Sequence, residues 1–123
     1  MCIRDSIELL PADQLAADQA VLLGIGDLGR RSEWRARLAR APGPLLDPSA
    51  VVGYGVDLAA GVVVMAGVIV NPNARIEQDA ILNSGCIVEH DCRVGLNSHI
   101  APGARLGGGV QVGAGVLVGA DDG

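Results

Sequence analysis

The chain has 123 residues, half of them hydrophobic, yet only one Trp, one Tyr and no Phe stand against 18 Gly. A core of ordinary design needs aromatics or Leu-rich helices, so this one has to be filled with small and β-branched side chains. The formal net charge of −5 and a pI near 4.7 argue against nucleic acid as a partner.

In chain order, MCIRDS at 1–6 lacks the apolar stretch of a signal peptide and fits nothing that follows, so these residues are expected to be a non-native leader. Residues 7–44 are expected to be the remnant of an α/β domain. Within them AVLLGIG (20–26) predicts a buried strand. DLGRRSEWRARLAR (27–40) predicts a helix with Asp27 as its N-cap and its arginines on a solvated face. The stretch GIGDLG satisfies G-x-G-x-x-G through Gly24, Gly26 and Gly29, which is a dinucleotide fingerprint in the right context. A Rossmann unit needs a second parallel strand and more chain than precedes residue 50, so a plain strand-to-helix turn is expected instead. APGPLLDPSA (41–50) predicts a linker. The longest apolar run, LAAGVVVMAGVIV (58–70), is too short for a bilayer, and a cytoplasmic location is expected.

From residue 45 onward the sequence keeps a period of six. Every sixth residue from Val52 (Leu58, Val64, Val70 and so on to Val118) is Val, Ile or Leu, and the residue two before each is small or β-branched. Neither a helix nor a plain strand holds one residue type in phase at six. A chain that turns a corner every six residues does, and three sides close a coil of 18. Coils then stack at about 4.8 Å. Residues 18 apart form the core ladders Val52–Val70–Val88–Leu106, Leu58–Ile76–Val94–Val112 and Val64–Leu82–Ile100–Val118. This is the hexapeptide parallel β-helix, about four coils over residues 45–123. The glycines that follow ladder residues (Gly53, Gly95, Gly107, Gly113 and Gly119) are expected to supply the corner conformations. Cys86 and Cys92 fall in the small inward slot as buried hydrophobes, and with Cys2 they show no metal or disulfide spacing.

The chemistry-bearing residues stand off this pattern. His90 and Asp91 share the hexad VEHDCR, and His99 ends the next, VGLNSH. The ladders run unbroken around them, so folding is not expected to require them. A carboxylate beside an imidazole favours the imidazolium and raises basicity, which suits a general base. A lone His on a solenoid corner is equally compatible with an inert surface residue.

The run from Leu45 to Gly119, and above all VEHDCRVGLNSHI, resembles the hexapeptide-repeat acetyltransferases of the sialic acid O-acetyltransferase and bacterial UDP-amino-sugar N-acetyltransferase type. The resemblance implies a left-handed coil and homotrimers with active sites between subunits. It implies an N-terminal nucleotide-sugar domain, of which 7–44 would be the remnant, and a chain truncated at both ends. It implies transfer of acetyl from acetyl-CoA to an amino or hydroxyl group of a nucleotide-linked sugar, by direct attack and without a metal. By it His90 matches the general base and Asp91 its carboxylate partner. His99, Gly119 and Ala120 match cofactor contacts, and Asn83 matches the acceptor side. Two alternatives stay open. One is a non-catalytic trimerisation module. The other is a γ-type carbonic anhydrase, which needs three His around zinc where this chain has two.

Overall fold

Thirteen two-residue strands, from Leu45–Leu46 to Leu117–Val118, recur every six residues in the computed structural model, which describes residues 43–119. The expected leader, the α/β remnant up to residue 42, Gly24, Gly26, Gly29 and Ala120 lie outside the described residues.

Three parallel sheets line the sides of a left-handed solenoid of about four turns. The first contains β1 (Leu45–Leu46), β4 (Val63–Val64), β7 (Ile81–Leu82), β10 (His99–Ile100) and β13 (Leu117–Val118). The second contains β2 (Val51–Val52), β5 (Ile69–Val70), β8 (Ile87–Val88) and β11 (Arg105–Leu106). The third contains β3 (Asp57–Leu58), β6 (Arg75–Ile76), β9 (Arg93–Val94) and β12 (Gln111–Val112). Every strand pairs with the strand one coil away, in the register Ile69↔Ile87 and His99↔Ile81, so residues 18 apart sit above one another as the sequence period requires. The second residue of each strand points inward. Ile76, Leu82, Val88, Val94 and Ile100 are fully buried, and each contributes about 1.5–3 kcal/mol by leaving water. Cys86 and Cys92 are buried in the inward slot as expected. A polar residue fits that slot only with its hydroxyl satisfied: the Ser98 Oγ–H donates to the Gly113 carbonyl at 2.6 Å and its oxygen accepts from the Val116 N–H at 3.0 Å. The Cys92 thiol donates to the Gly107 carbonyl in the equivalent place.

The corners correct the expectation about glycine. The left-handed residue comes three after each ladder residue, not one after it. It is Gly at 55, 61, 67, 85, 103, 109 and 115, and Asn73, Asp79, Asp91 or Asn97 elsewhere. Only Gly, and to a lesser degree Asn and Asp, occupy that conformation cheaply. From Asn73 onward its N–H donates to a carbonyl of the preceding coil, as in Asp91 to Pro72 at 3.1 Å and Gly109 to His90 at 2.9 Å, while at Gly67 the Ser49 hydroxyl accepts instead. Of the glycines that directly follow ladder residues, Gly53 and Gly95 serve close approach: a Cβ on Gly95 would collide with the Gly113 backbone, whereas one on Gly107, Gly113 or Gly119 would meet nothing closer than ordinary contact. Asp91 is thereby corrected too, because the fold does ask for a residue of its kind at that corner.

The outer residues of the strands differ by side. The third sheet is polar, with Arg75 3.8 Å from Asp57, and Arg93 donating to Glu77 at 3.1 Å. The first sheet presents Val63 and Ile81, both buried although they point out of the coil.

Candidate active site

His90 and Asp91 sit at the corner between the second and third sheets, after β8, and four interactions fix that corner. Two are the backbone bonds of Asp91 and Gly109 just given. The other two hold Glu89, whose carboxylate accepts from Asn71 Nδ2 at 2.9 Å and from Arg105 Nη2 at 2.8 Å. Glu89 is thus committed to its neighbours one coil below and one coil above. The carboxylate left to face His90 is that of Asp91.

The His90 Nδ1 lies 2.9 Å from Asp91 Oδ2. An ionised carboxylate only accepts, so Nδ1 carries the proton and, in the neutral ring, Nε2 holds the lone pair. Among the described residues no hydrogen bond engages Nε2. The two side chains are 64% and 61% exposed, so the pair is open to a ligand from outside the coil. Oriented in this way, the ring is ready to take a proton at Nε2.

His99 and Asn83 form a second pair. His99 is the outward residue of β10, and Asn83 begins the next corner after β7, one coil below. The Ser84 N–H donates to Asn83 Oδ1 at 2.7 Å, which turns the amide nitrogen toward His99 Nε2 at 3.0 Å. The amide nitrogen can only donate, so His99 Nε2 accepts and the neutral ring carries its proton on Nδ1. The sequence reading gave Asn83 to the acceptor and His99 to the cofactor, whereas the structure joins them. Within one chain the two pairs lie on different sides of the triangle, so they are not brought together. Gly119 ends the described coil and is exposed. Among the described residues no group of three or more His, Cys, Asp or Glu converges to hold a metal ion, and no helix is long and apolar enough to cross a membrane.

Sequence reasoning missed Asn71, Glu89, Arg105 and Gly108. The 18-residue register could have found two of their relations, since Asn71 lies 18 before Glu89 and Gly108 lies 18 after His90.

Comparisons with known proteins agree with this architecture. Residues 85–120 match the family described as hexapeptide repeat of succinyl-transferase. PerB from Caulobacter crescentus, solved with CoA and GDP-perosamine, is 35% identical with a TM-score of 0.70 over 80% of this chain. A histidine-to-asparagine mutant of perosamine N-acetyltransferase from the same organism, also with CoA and GDP-perosamine, is 31% identical with a TM-score of 0.69 over 81% of this chain. The acetyltransferase domain of PglB from Neisseria gonorrhoeae shares the fold at 23% identity, with a TM-score of 0.62 over 85% of this chain and 62% of its own. The present chain spans 58% and 60% of the two Caulobacter structures. No curated protein matches. What these comparisons place beyond doubt is the coil: this chain is a left-handed hexapeptide β-helix of the kind on which sugar N-acetyltransferases are built.

Proposed function

We propose that this chain carries the β-helix of an acetyl-CoA-dependent acetyltransferase whose acceptor is an amino or hydroxyl group of a nucleotide-linked sugar. The observation that carries the reading is the His90–Asp91 pair, with Nδ1 held by the carboxylate and Nε2 open at an exposed corner. The Caulobacter relatives, solved with CoA and a GDP-sugar, support the donor and the class of acceptor.

In the proposed step the acceptor nitrogen or oxygen attacks the thioester carbonyl while Nε2 of His90 takes its proton. The C–S bond then breaks, and the CoA sulfur leaves with the electron pair and is protonated. Asp91 keeps the ring in the tautomer that can accept and stabilises the charge it gains. Among the described residues no cysteine is exposed to form an acyl-enzyme, since Cys86 and Cys92 are buried and burial pushes the Cys86 thiol up to about 12. His99, Gly119 and Ala120 are the proposed contacts to acetyl-CoA, and Asn83 is the proposed contact to the acceptor. Because the two histidine pairs lie on different sides of one coil, a threefold assembly that sets one chain's His90 against a neighbour's His99 would complete the site. Exposed Val51 and Leu117 on outer strand positions favour such contacts. The cytoplasm, where acetyl-CoA and nucleotide sugars are made available, is the proposed location.

The test is acetyl transfer by the whole gene product to a panel of UDP- and GDP-linked amino sugars and sialic acids, followed by release of free CoA thiol. Thiol release that depends on a nucleotide-linked sugar is the expected result. If no sugar supports release, the substrate class is wrong and a non-catalytic trimerisation module becomes the better reading.

A further inference from the structure

The residue two places after each ladder residue is the outermost point of a corner, and the repeat accepts almost anything there. Tyr54, Pro72, Gln78, His90, Leu96 and Pro102 all occupy it, and among the described residues glycine does so only at 108. The backbone does not explain that glycine. Gly108 lies outside the left-handed region, which its neighbour Gly109 occupies for this corner with φ at 72°. Packing does explain it. A Cβ at 108 would stand 2.6 Å from His90 Nε2 and 2.8 Å from its Cε1, whereas one at Gly107 would meet only a Val110 methyl at 4.0 Å. The imidazole therefore lies along the bare Cα of the coil above, with Asp91 holding its other nitrogen.

We infer that Gly108 is a positioning residue: the missing side chain is the seat of the His90 ring and keeps Nε2 where Asp91 has oriented it. The catalytic consequence rests on the general-base role proposed for His90, but the geometry does not. Ordinary contact begins at 3.4 Å, so an alanine at 108 forces the ring aside by about 1 Å or swings it outward. The side chain is 64% exposed and free to swing, so the fold survives while the Nδ1–Asp91 bond lengthens or breaks. A displacement of about 1 Å in a catalytic group costs about 10²-fold in rate.

The experiment is Gly108→Ala, with Gly107→Ala as control, read by ¹⁵N spectra of the histidine side chains in this chain at neutral pH and by thermal unfolding. The expected result is loss of the Nδ1-protonated, carboxylate-bonded His90 signature in Gly108→Ala alone, with the His99 signals and the unfolding temperature unchanged. In the unaltered chain the His90 Hε1 proton should also show a nuclear Overhauser contact to the Gly108 α protons, a readout that needs no variant. An unchanged His90 signature in Gly108→Ala, or absence of that contact, overturns the inference. In the whole gene product the variant should lower kcat about 10²-fold with the KM for acetyl-CoA held. A changed ring signature with undiminished kcat would uphold the seat and instead refute the general-base role of His90.

Discussion

Asp91 holds two jobs that substitution can separate. Its backbone sits at φ 60° and its N–H donates to Pro72 of the coil below, while its carboxylate receives His90 Nδ1 at 2.9 Å. Replacement by Ala keeps neither a cheap left-handed backbone nor the carboxylate. A Cβ without a compensating polar group costs about 1 kcal/mol in that conformation, or about 4–8 °C in unfolding temperature for a domain of this size. Replacement by Gly restores the corner, as at seven other corners of this coil, but leaves His90 without its partner. Replacement by Asn, found at corners 73 and 97, keeps the corner and an oxygen that can accept from Nδ1, but not the charge. Unfolding temperature should therefore order as unaltered, Asn and Gly together, with Ala below. Turnover of the whole gene product should order differently: Asn down about tenfold, Gly and Ala both down about 10²-fold. Thermal unfolding and initial-rate assays on the three variants give both orders. If Gly destabilises as much as Ala, the backbone argument fails. If Gly turns over like the unaltered protein, the carboxylate has no part in the chemistry.

Two further expectations concern the coil. Leu82→Ala opens the centre of the ladder Val64–Leu82–Ile100, where Leu82 is fully buried, and should cost about 2–5 kcal/mol in urea unfolding. Leu96→Ala at an exposed corner should cost less than about 0.5 kcal/mol, and equal losses would contradict the ladder. Cys86 supplies the pH dependence. Burial holds its thiol up to about 12, whereas an unfolded thiol ionises near the ordinary 9.0. Between those values the unfolded chain releases a proton that the folded chain keeps, so stability falls as pH rises through that window. Urea midpoints at pH 8 and pH 10.5 should show that fall, and Cys86→Ala should reduce it; an undiminished fall would place its source elsewhere.

The coil was legible in the sequence because a solenoid repeats one environment. Ladder residues from Val52 to Val118 and the small slots at Cys86, Cys92 and Ser98 all fell where a period of six put them. The corner was misread because two glycine positions alternate within the hexad, and composition alone does not say which carries the left-handed residue. Gly95 and Gly85 look alike in sequence, yet one avoids a collision with the coil above and the other turns the chain. Adjacency in sequence was enough to suggest the His90–Asp91 pair. The Asn83–His99 pair was not legible, because 16 residues of separation matches no simple period and depends on the side chains leaning across a corner. The Glu89 clasp by Arg105 was hidden for the same reason.

The central claim is that His90 is the base of an acetyl transfer, and kcat of His90→Ala in the whole gene product tests it most directly, measured beside its unfolding temperature. Because the imidazole is 64% exposed and touches no core ladder, the account expects an unchanged unfolding temperature. It expects kcat to fall by about 10²–10⁴-fold. A His90→Ala protein that folds normally and keeps the kcat of the unaltered enzyme would contradict it.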